Sequence, residues 1–304
     1  GIHALRITKD EDTTYWLQYR VSNQRNQWSP GGDSFVDMMG EQKEIPPLLD
    51  HWSRNGLQLF MEGAGSLSML LDASPGSSGG VLDSPLMIGR TFVEQSIGLH
   101  ITPVAQSEDG EEVPWIDVVV NVGAFDGNQA PAVELSASAT AADEDEDVTF
   151  TAIATDPDGD MLGIYWDFGD GNYAYNEGEV THAFALEGEY LVRCEVTDMK
   201  GGHTSRYLVV TVDNPSTLRI SGKIISDIGI PVENIEVAAQ EAVSADPEDE
   251  LVGPILRAFK DAERNFVLVG VERDKSYALN ANLFGYNVTP VGFENPLEVN
   301  DMDA

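Results

Sequence analysis

The sequence predicts an all-β protein built as three consecutive β-sandwich domains in a string. Three observations lead there. Helical periodicity is nearly absent, so no amphipathic helix is expected. Short alternating or β-branched runs recur about every 8 to 12 residues, divided by Gly, Pro, Asn and Asp. Two composition shifts, "FDGNQAPAVEL" and "VDNPSTLRISG", interrupt that rhythm. In each, a proline favours extended backbone before it and blocks a continuing ladder. The cuts fall near residues 126 and 215, giving domains 1–126, 127–214 and 215–304. Joints this short predict a stiff string.

The elements follow in order. In the first third "TYWLQYRVS" alternates, "LQLFME" and "SLSMLLDA" alternate loosely, and "WIDVVVNVGA" reads as a buried strand. Between them "GGDSFVDMMGEQKEIPPLLDHWSRNG" breaks the rhythm and reads as a long excursion over the sandwich. Trp28 and Trp52 flank it, either as lids on the core or as an exposed aromatic ligand surface. In the middle third "DVTFTAIAT", "EYLVRCEVTD" and "RYLVVTVDN" alternate clearly. "GIYWDFGDG" places Ile164, Trp166 and Phe168 on one face, and Tyr165 and Asp167 on the other, so Trp166 is expected in the core. "GDG" at 169–171 supplies the positive φ angles of a hairpin turn, with Asp170 bonding its own turn backbone. "TLRISGKII", "NIEVAAQEA", "NFVLVGVE" and "YALNANLFG" complete the series. The acidic stretch 244–254 reads as a solvated loop or a further cation site.

Charge narrows the function classes. With 52 acidic against 17 basic residues the formal net charge is −35. Nucleic acid and anionic membranes would repel such a surface, and cations would gather on it. The acids are scattered and only six residues are lysine, which suits either a salty exterior or simple solubility. No apolar run approaches the roughly 18 residues that span a bilayer, so no membrane insertion is expected. The first residues, "GIHALRITKD", lack a start methionine and an apolar signal core, and read as a mature product or an excised piece. Cys194 alternates with charged neighbours and reads as a small buried hydrophobe, and as the single cysteine it has no intrachain partner.

Catalytic motifs in the same residues are incomplete. "GSSGG" at 76–80 is similar to the nucleophile loop of trypsin-like proteases, with Ser78 as nucleophile. Only His3 and His51 lie upstream, too few residues precede Ser78 to build the required barrels, and loop glycines explain the motif better. No two of His3, His51, His100, His182 and His203 stand at the spacing of a zinc protease helix. Turn acids near Trp166 lack the cleft and raised pKa of an acid–base pair. The chain is therefore expected not to be an enzyme.

Two resemblances sharpen this. Trp166 to Gly171, His182 with Phe184, Gly188 with Tyr190 and Val192, and Val196 to Asp198 resemble the motifs of the polycystic kidney disease (PKD) domain over residues 128–213. That resemblance implies an Ig-like sandwich with no active site of its own. The likeness to PKD domains of secreted bacterial collagenases implies Ca2+ ligands at Asn128, Asp156, Asp158 and Asp198; the alternative is that these acids only cap turns. Gly222, Asp227, Gly229, Pro231, Val237, Phe266, Tyr277, Leu279, Ala281, Gly285 and Tyr286 resemble the carboxypeptidase regulatory-like (transthyretin-like) fold over residues 217–290. Asn265 stands where that family has Gly, and Asn tolerates the left-handed turn. "NVT" at 287–289 is a glycosylation sequon, meaningful in a eukaryotic secretory route.

The first domain is a weaker match. Tyr15 to Arg20, Leu70 to Pro75, Gly89 to Phe92 and Ile101 to Pro103 are similar to the β-rich, jelly-roll-like region after the catalytic domain of gametolysin-like secreted metalloproteases. Together these readings predict an extracellular, secreted or cell-surface accessory region. It would bind an extracellular protein or polysaccharide surface, or neighbouring domains and subunits, and space a protease domain. The alternative is a structural module of an adhesin or fibre.

Overall fold

A computed structural model of the chain describes residues 4–10, 12–19, 34–36, 42–44, 56–63, 68–71, 73, 84–107, 115–213, 218–226, 237–242, 251–260, 265–281 and 297–298. Among these the only helical element is a single 3-10 turn, Gln95–Ile97, and everything else regular is strand.

The first domain contains β1 (Ala4–Thr8), β2 (Thr14–Tyr19), β3 (Ser34–Val36), β4 (Gln42–Glu44), β5 (Leu57–Glu62), β6 (Ser68–Leu71), β7 (Phe92–Glu94), β8 (Leu99–Gln106) and β9 (Ile116–Val122). An antiparallel sheet in the order β1-β2-β5-β6 and a second in the order β7-β8-β9 share one core; β3 and β4 pair as a separate two-stranded ribbon. Alternation along β2 sends Tyr15 and Leu17 into that core with Leu57, Leu59, Leu99 and Ile101. Trp16, between them, lies under the guanidinium of Arg6 instead. The apolar segment of β9 departs from expectation. Among the described strands it lies at the edge of its sheet, and its far end leaves the core: Val120 and Val122, on the same face as Ile116 and Val118, are 36% and 67% exposed. Only Ile116 and Val118 of that run pack on the core.

The middle domain is a sandwich of β10 (Ala132–Ala137), β11 (Ala141–Ala142), β12 (Asp147–Thr155), β13 (Gly163–Asp167), β14 (Tyr173–Tyr175), β15 (Glu179–Ala183), β16 (Gly188–Thr197) and β17 (His203–Val212). One sheet runs β10-β12-β15 and the other β11-β17-β16-β13-β14. Between them lie Val148, Phe150, Trp166, Phe168, Phe184, Val192, Cys194, Val196, Val210 and Val212. Trp166 is 0% exposed, and its indole N–H donates to the Glu177 carbonyl at 2.9 Å. Full burial of a side chain this large, with its one polar atom satisfied, contributes about 2–3 kcal/mol or more.

The third domain holds β18 (Leu218–Lys223), β19 (Val237–Ala242), β20 (Leu251–Arg257), β21 (Phe259–Lys260), β22 (Asn265–Val271), β23 (Ser276–Ala281) and β24 (Leu297–Glu298). Sheets β18-β22-β21 and β20-β19-β23-β24 enclose Val237, Ala239, Phe266, Leu268, Val271 and Tyr277. Two expectations shift here. The acidic stretch gives way to strand β20 at Leu251, which pairs with Ala242. Asn265 is the first residue of strand β22, opposite Lys223, and its φ is not positive, so it starts the ladder there.

The five-stranded sheet is covered on both faces. Its inner face meets β10-β12-β15. Its outer face carries Tyr165, Asp167, Glu189, Leu191, Arg193 and Glu195, and both neighbouring domains lie against it. From the first domain, Arg90 Nε donates to Glu195 at 3.4 Å and its guanidinium stands 5.6 Å from the Tyr165 ring centre. The hydroxyl of Thr91 is 2.8 Å from that of Thr197, and Asn121 Nδ2 donates to the Met199 carbonyl at 2.9 Å. Gly89, at φ +83°, packs so closely that a Cβ there would lie 2.2 Å from the Ile164 carbonyl oxygen. From the third domain, Arg219 donates to Glu189 at 2.9 Å, and the Glu189 side chain is 2% exposed. Leu256, Ala258 and Val269 face Asp167, Leu191 and Tyr207 across a cleft of about 40 Å³.

Candidate functional site

The predicted metal residues lie where the first joint meets the middle domain. Asp156 follows β12 and opens the turn "DPDGD". Its Oδ1 accepts from the backbone N–H of Asp158 at 2.9 Å and of Asp160 at 3.0 Å. Asp198 follows β16 and organises the β16–β17 turn in the same way, its Oδ1 accepting from Lys200 N–H at 2.7 Å and Gly202 N–H at 2.9 Å. Short polar side chains bonding the backbone two to four residues on are what such turns require.

The joint is tied to both turns. Asn128 Nδ2 donates to Asp198 Oδ2 at 2.6 Å. The next residue, Gln129, donates its backbone N–H to Asp158 Oδ2 at 2.8 Å and its side-chain amide to Asp158 Oδ1 at 3.2 Å. Asp198 is almost fully buried, and Gly202 leaves room for it: a Cβ there would lie 2.1 Å from Asp198 Oδ2. The structure therefore gathers Asn128 on Asp198, and Asp156 and Asp158 in one turn against the adjoining residue.

The donors are of the kind a hard cation takes, carboxylate and amide oxygen. Asp156 Oδ2 is buried and has no hydrogen-bond partner among the described residues. Both Asp158 oxygens are committed to Gln129. Among the described residues no three His, Cys, Asp or Glu side chains converge as a ligand set. Carboxylates alone thus do not form a cage, and a cation held here would draw on the Asn128 amide as well. In kind the residues fit Ca2+.

Residues not singled out from sequence complete the joint. Lys200 Nζ donates to Asp160 Oδ1 and stands 5.7 Å from the Phe125 ring centre. Phe125 meets His100 edge to face at 5.3 Å. Burial holds the His100 imidazole below its ordinary pKa, against the pull of Asp198. Lys200 was legible only as a basic residue two positions after a predicted ligand in a lysine-poor chain. Phe125 and His100 gave no signal beyond being an aromatic and a histidine.

The remaining motif residues are structural. Asp170 Oδ1 accepts from the Asn172 backbone at 3.0 Å, and Asp170 Oδ2 lies 2.7 Å from His182 Nε2. The His182 ring stacks on Phe168 at 4.1 Å. The Cys194 thiol is buried and its pKa is pushed up to about 12, first by desolvation and then by Glu195, which suits packing. Ser78, His3, His51, Trp28, Trp52, the sequon at 287–289, and Asp227, Gly229, Pro231, Gly285 and Tyr286 lie outside the described residues.

Comparison with known proteins follows the same outline. Residues 128–212 match the PKD domain family. That stretch is a PKD domain. The chain is 33% identical over 102 residues to a microbial collagenase of Vibrio alginolyticus, an alignment covering 33% of this chain and 12% of that protein. It is 42% identical over 62 residues to collagenase ColA of Clostridium perfringens (strain 13 / Type A), covering 20% of this chain and 6% of that one. The chain thus spans only a small part of the curated relatives it matches. Among solved structures, the PKD1 domain of Vibrio anguillarum Epp is 28% identical, covering 29% of this chain and 99% of that one, with a TM-score of 0.25. The PKD domain is a non-catalytic module, and its Trp-Asp-Phe-Gly-Asp-Gly motif here is spent on core and turn.

Proposed function

We propose that the chain is a non-catalytic accessory region of a secreted protease, which holds an extracellular protein polymer and spaces the catalytic domain from it. One observation carries this: a PKD domain, aligned with proteins named collagenases, whose motif side chains are all consumed by packing and turns. Two further sandwiches lie against its outer face, so the middle domain serves as the keel of a larger arm. No helix among the described residues is long and apolar enough to cross a membrane. The net charge of −35 favours cationic patches on the polymer over nucleic acid.

In this reading Asn128, Asp156, Asp158 and Asp198 take Ca2+ at the joint, and the ion cross-links the joint to the sandwich. The support is the open Asp156 Oδ2 and the Asn128–Asp198 contact. Two experiments test the proposal. The purified chain is sedimented with insoluble collagen, cellulose and chitin; it is expected in the collagen pellet. Partition into a polysaccharide pellet would move the substrate class, and partition into none would remove the binding role. Melting is then followed with millimolar Ca2+ and with chelator. A rise with Ca2+ that the chelator reverses is expected, and a flat response contradicts the metal reading.

A further inference from the structure

We propose that Lys200 is the resident counter-cation of the acidic joint, holding it closed without metal and competing with any divalent ion there. The competition half rests on the Ca2+ reading above; the closure half does not.

The geometry is specific. Lysine occupies only six positions of the chain, against 52 acids, yet one lies on the turn that carries Asp198. Its backbone N–H is fixed on Asp198 Oδ1 at 2.7 Å, so the side chain starts from a set place. The ammonium pairs with Asp160, in the Asp156 turn, and both side chains are partly buried, at 32% and 15% exposure. The same ammonium faces the ring of Phe125, which lies in the joint and rests on His100 of β8. Phe125 has φ +43°, an unusual backbone state for a bulky residue, and its carbonyl accepts from Asn128 N–H at 3.0 Å.

One charge therefore links four things: the Asp156–Asp160 turn, the β16–β17 turn, the joint and the first domain. Charge neutralisation and a cation over an aromatic face both favour this placement. A divalent ion entering the cluster would meet a positive charge already seated within it, and like charges at such range repel.

Three variants test the idea in the full chain: Lys200→Met, Lys200→Arg and Asp160→Asn. Melting is measured in chelator, and Ca2+ affinity by titration calorimetry. In chelator, Lys200→Met is expected to lower the melting temperature by about 3 °C or more, with Lys200→Arg close to the parent. Met keeps most of the packing stem, so the loss reports the charge. Adding Asp160→Asn to Lys200→Met should then cost less than it does alone, because the pair is already broken. Lys200→Met should also bind Ca2+ at least about tenfold more tightly than the parent. Equal melting of parent and Lys200→Met in chelator overturns the closure. Equal Ca2+ affinity overturns the competition and leaves the metal reading standing. If neither protein binds Ca2+ but Lys200→Met melts lower, the counter-cation stands and the metal reading falls.

Discussion

Asp170 and His182 show what a motif residue is for in this chain. The carboxylate sits in the Gly-Asp-Gly turn and the imidazole on β15, twelve residues apart, yet they meet at 2.7 Å above the Phe168 ring. Burial pushes the Asp170 pKa up, but the bonds from His182 and Asn172 outweigh it and hold it below the ordinary value of 3.8. A carboxyl held low gives stability that is complete above its ordinary pKa and fades as pH falls through its folded one. Glu94 has the same sign and a larger displacement. Bonds from Ser96 and Tyr15 hold it at about 2, below its usual 4.5, so its contribution fades between those values. Glu94→Gln is expected to flatten the acid limb of a melting-temperature profile between about pH 2 and 4.5, and an unchanged limb would count against the Tyr15–Glu94 bond. Asp170→Asn should cost about 1–3 kcal/mol in urea unfolding. The turn role of Asp170 was legible from Gly-Asp-Gly. Its second partner was not, because local spacing carries no record of which distant strand returns above the turn.

At the scale of elements, alternation located the strands and the core face but not what covers the other face. Ile164, Trp166 and Phe168 point inward as their period requires, and Trp166 is fully buried. Tyr165 and Asp167 are buried too, because the first and third domains lie on the outer side of the five-stranded sheet. The reverse holds at β9, where a run of valines expected in the interior lies at the edge of its sheet among the described strands, its far end in water. β-branched residues favour strands at edges and centres alike, so composition gives the strand and not its place. The candidate site divides in the same way. Asn128, Asp156, Asp158 and Asp198 are legible from motif positions and lie at one joint, whereas Gln129, Lys200, Phe125 and His100 come only with the fold. Gly89→Ala tests the packing of β13 against the first domain. A Cβ there meets the Ile164 carbonyl at 2.2 Å with φ at +83°, so the substitution is expected to part the two domains. Calorimetry should then resolve an additional, lower transition, and a melting curve identical to the parent would contradict that packing.

For the whole molecule the central sheet is the common partner. Arg90 reaches it from one side and Arg219 from the other, pairing with Glu195 and Glu189. Burial works to raise the Glu195 pKa, but Arg90, Arg193 and His203 more than offset it and hold it low. The contact with the first domain should therefore loosen as pH falls below the ordinary carboxylate range. Arg219→Met leaves Glu189 buried without its charge partner, and is expected to cost about 3 kcal/mol and release the third domain first. The proposed spacing role would need such a scaffold, and Asp156, Asp170 and Asp198 serve it by bonding their own turns. The most direct test is chemical. The purified chain is incubated with gelatin and new amino termini are counted. No release above the buffer blank is predicted; release that disappears in Ser78→Ala would contradict the account.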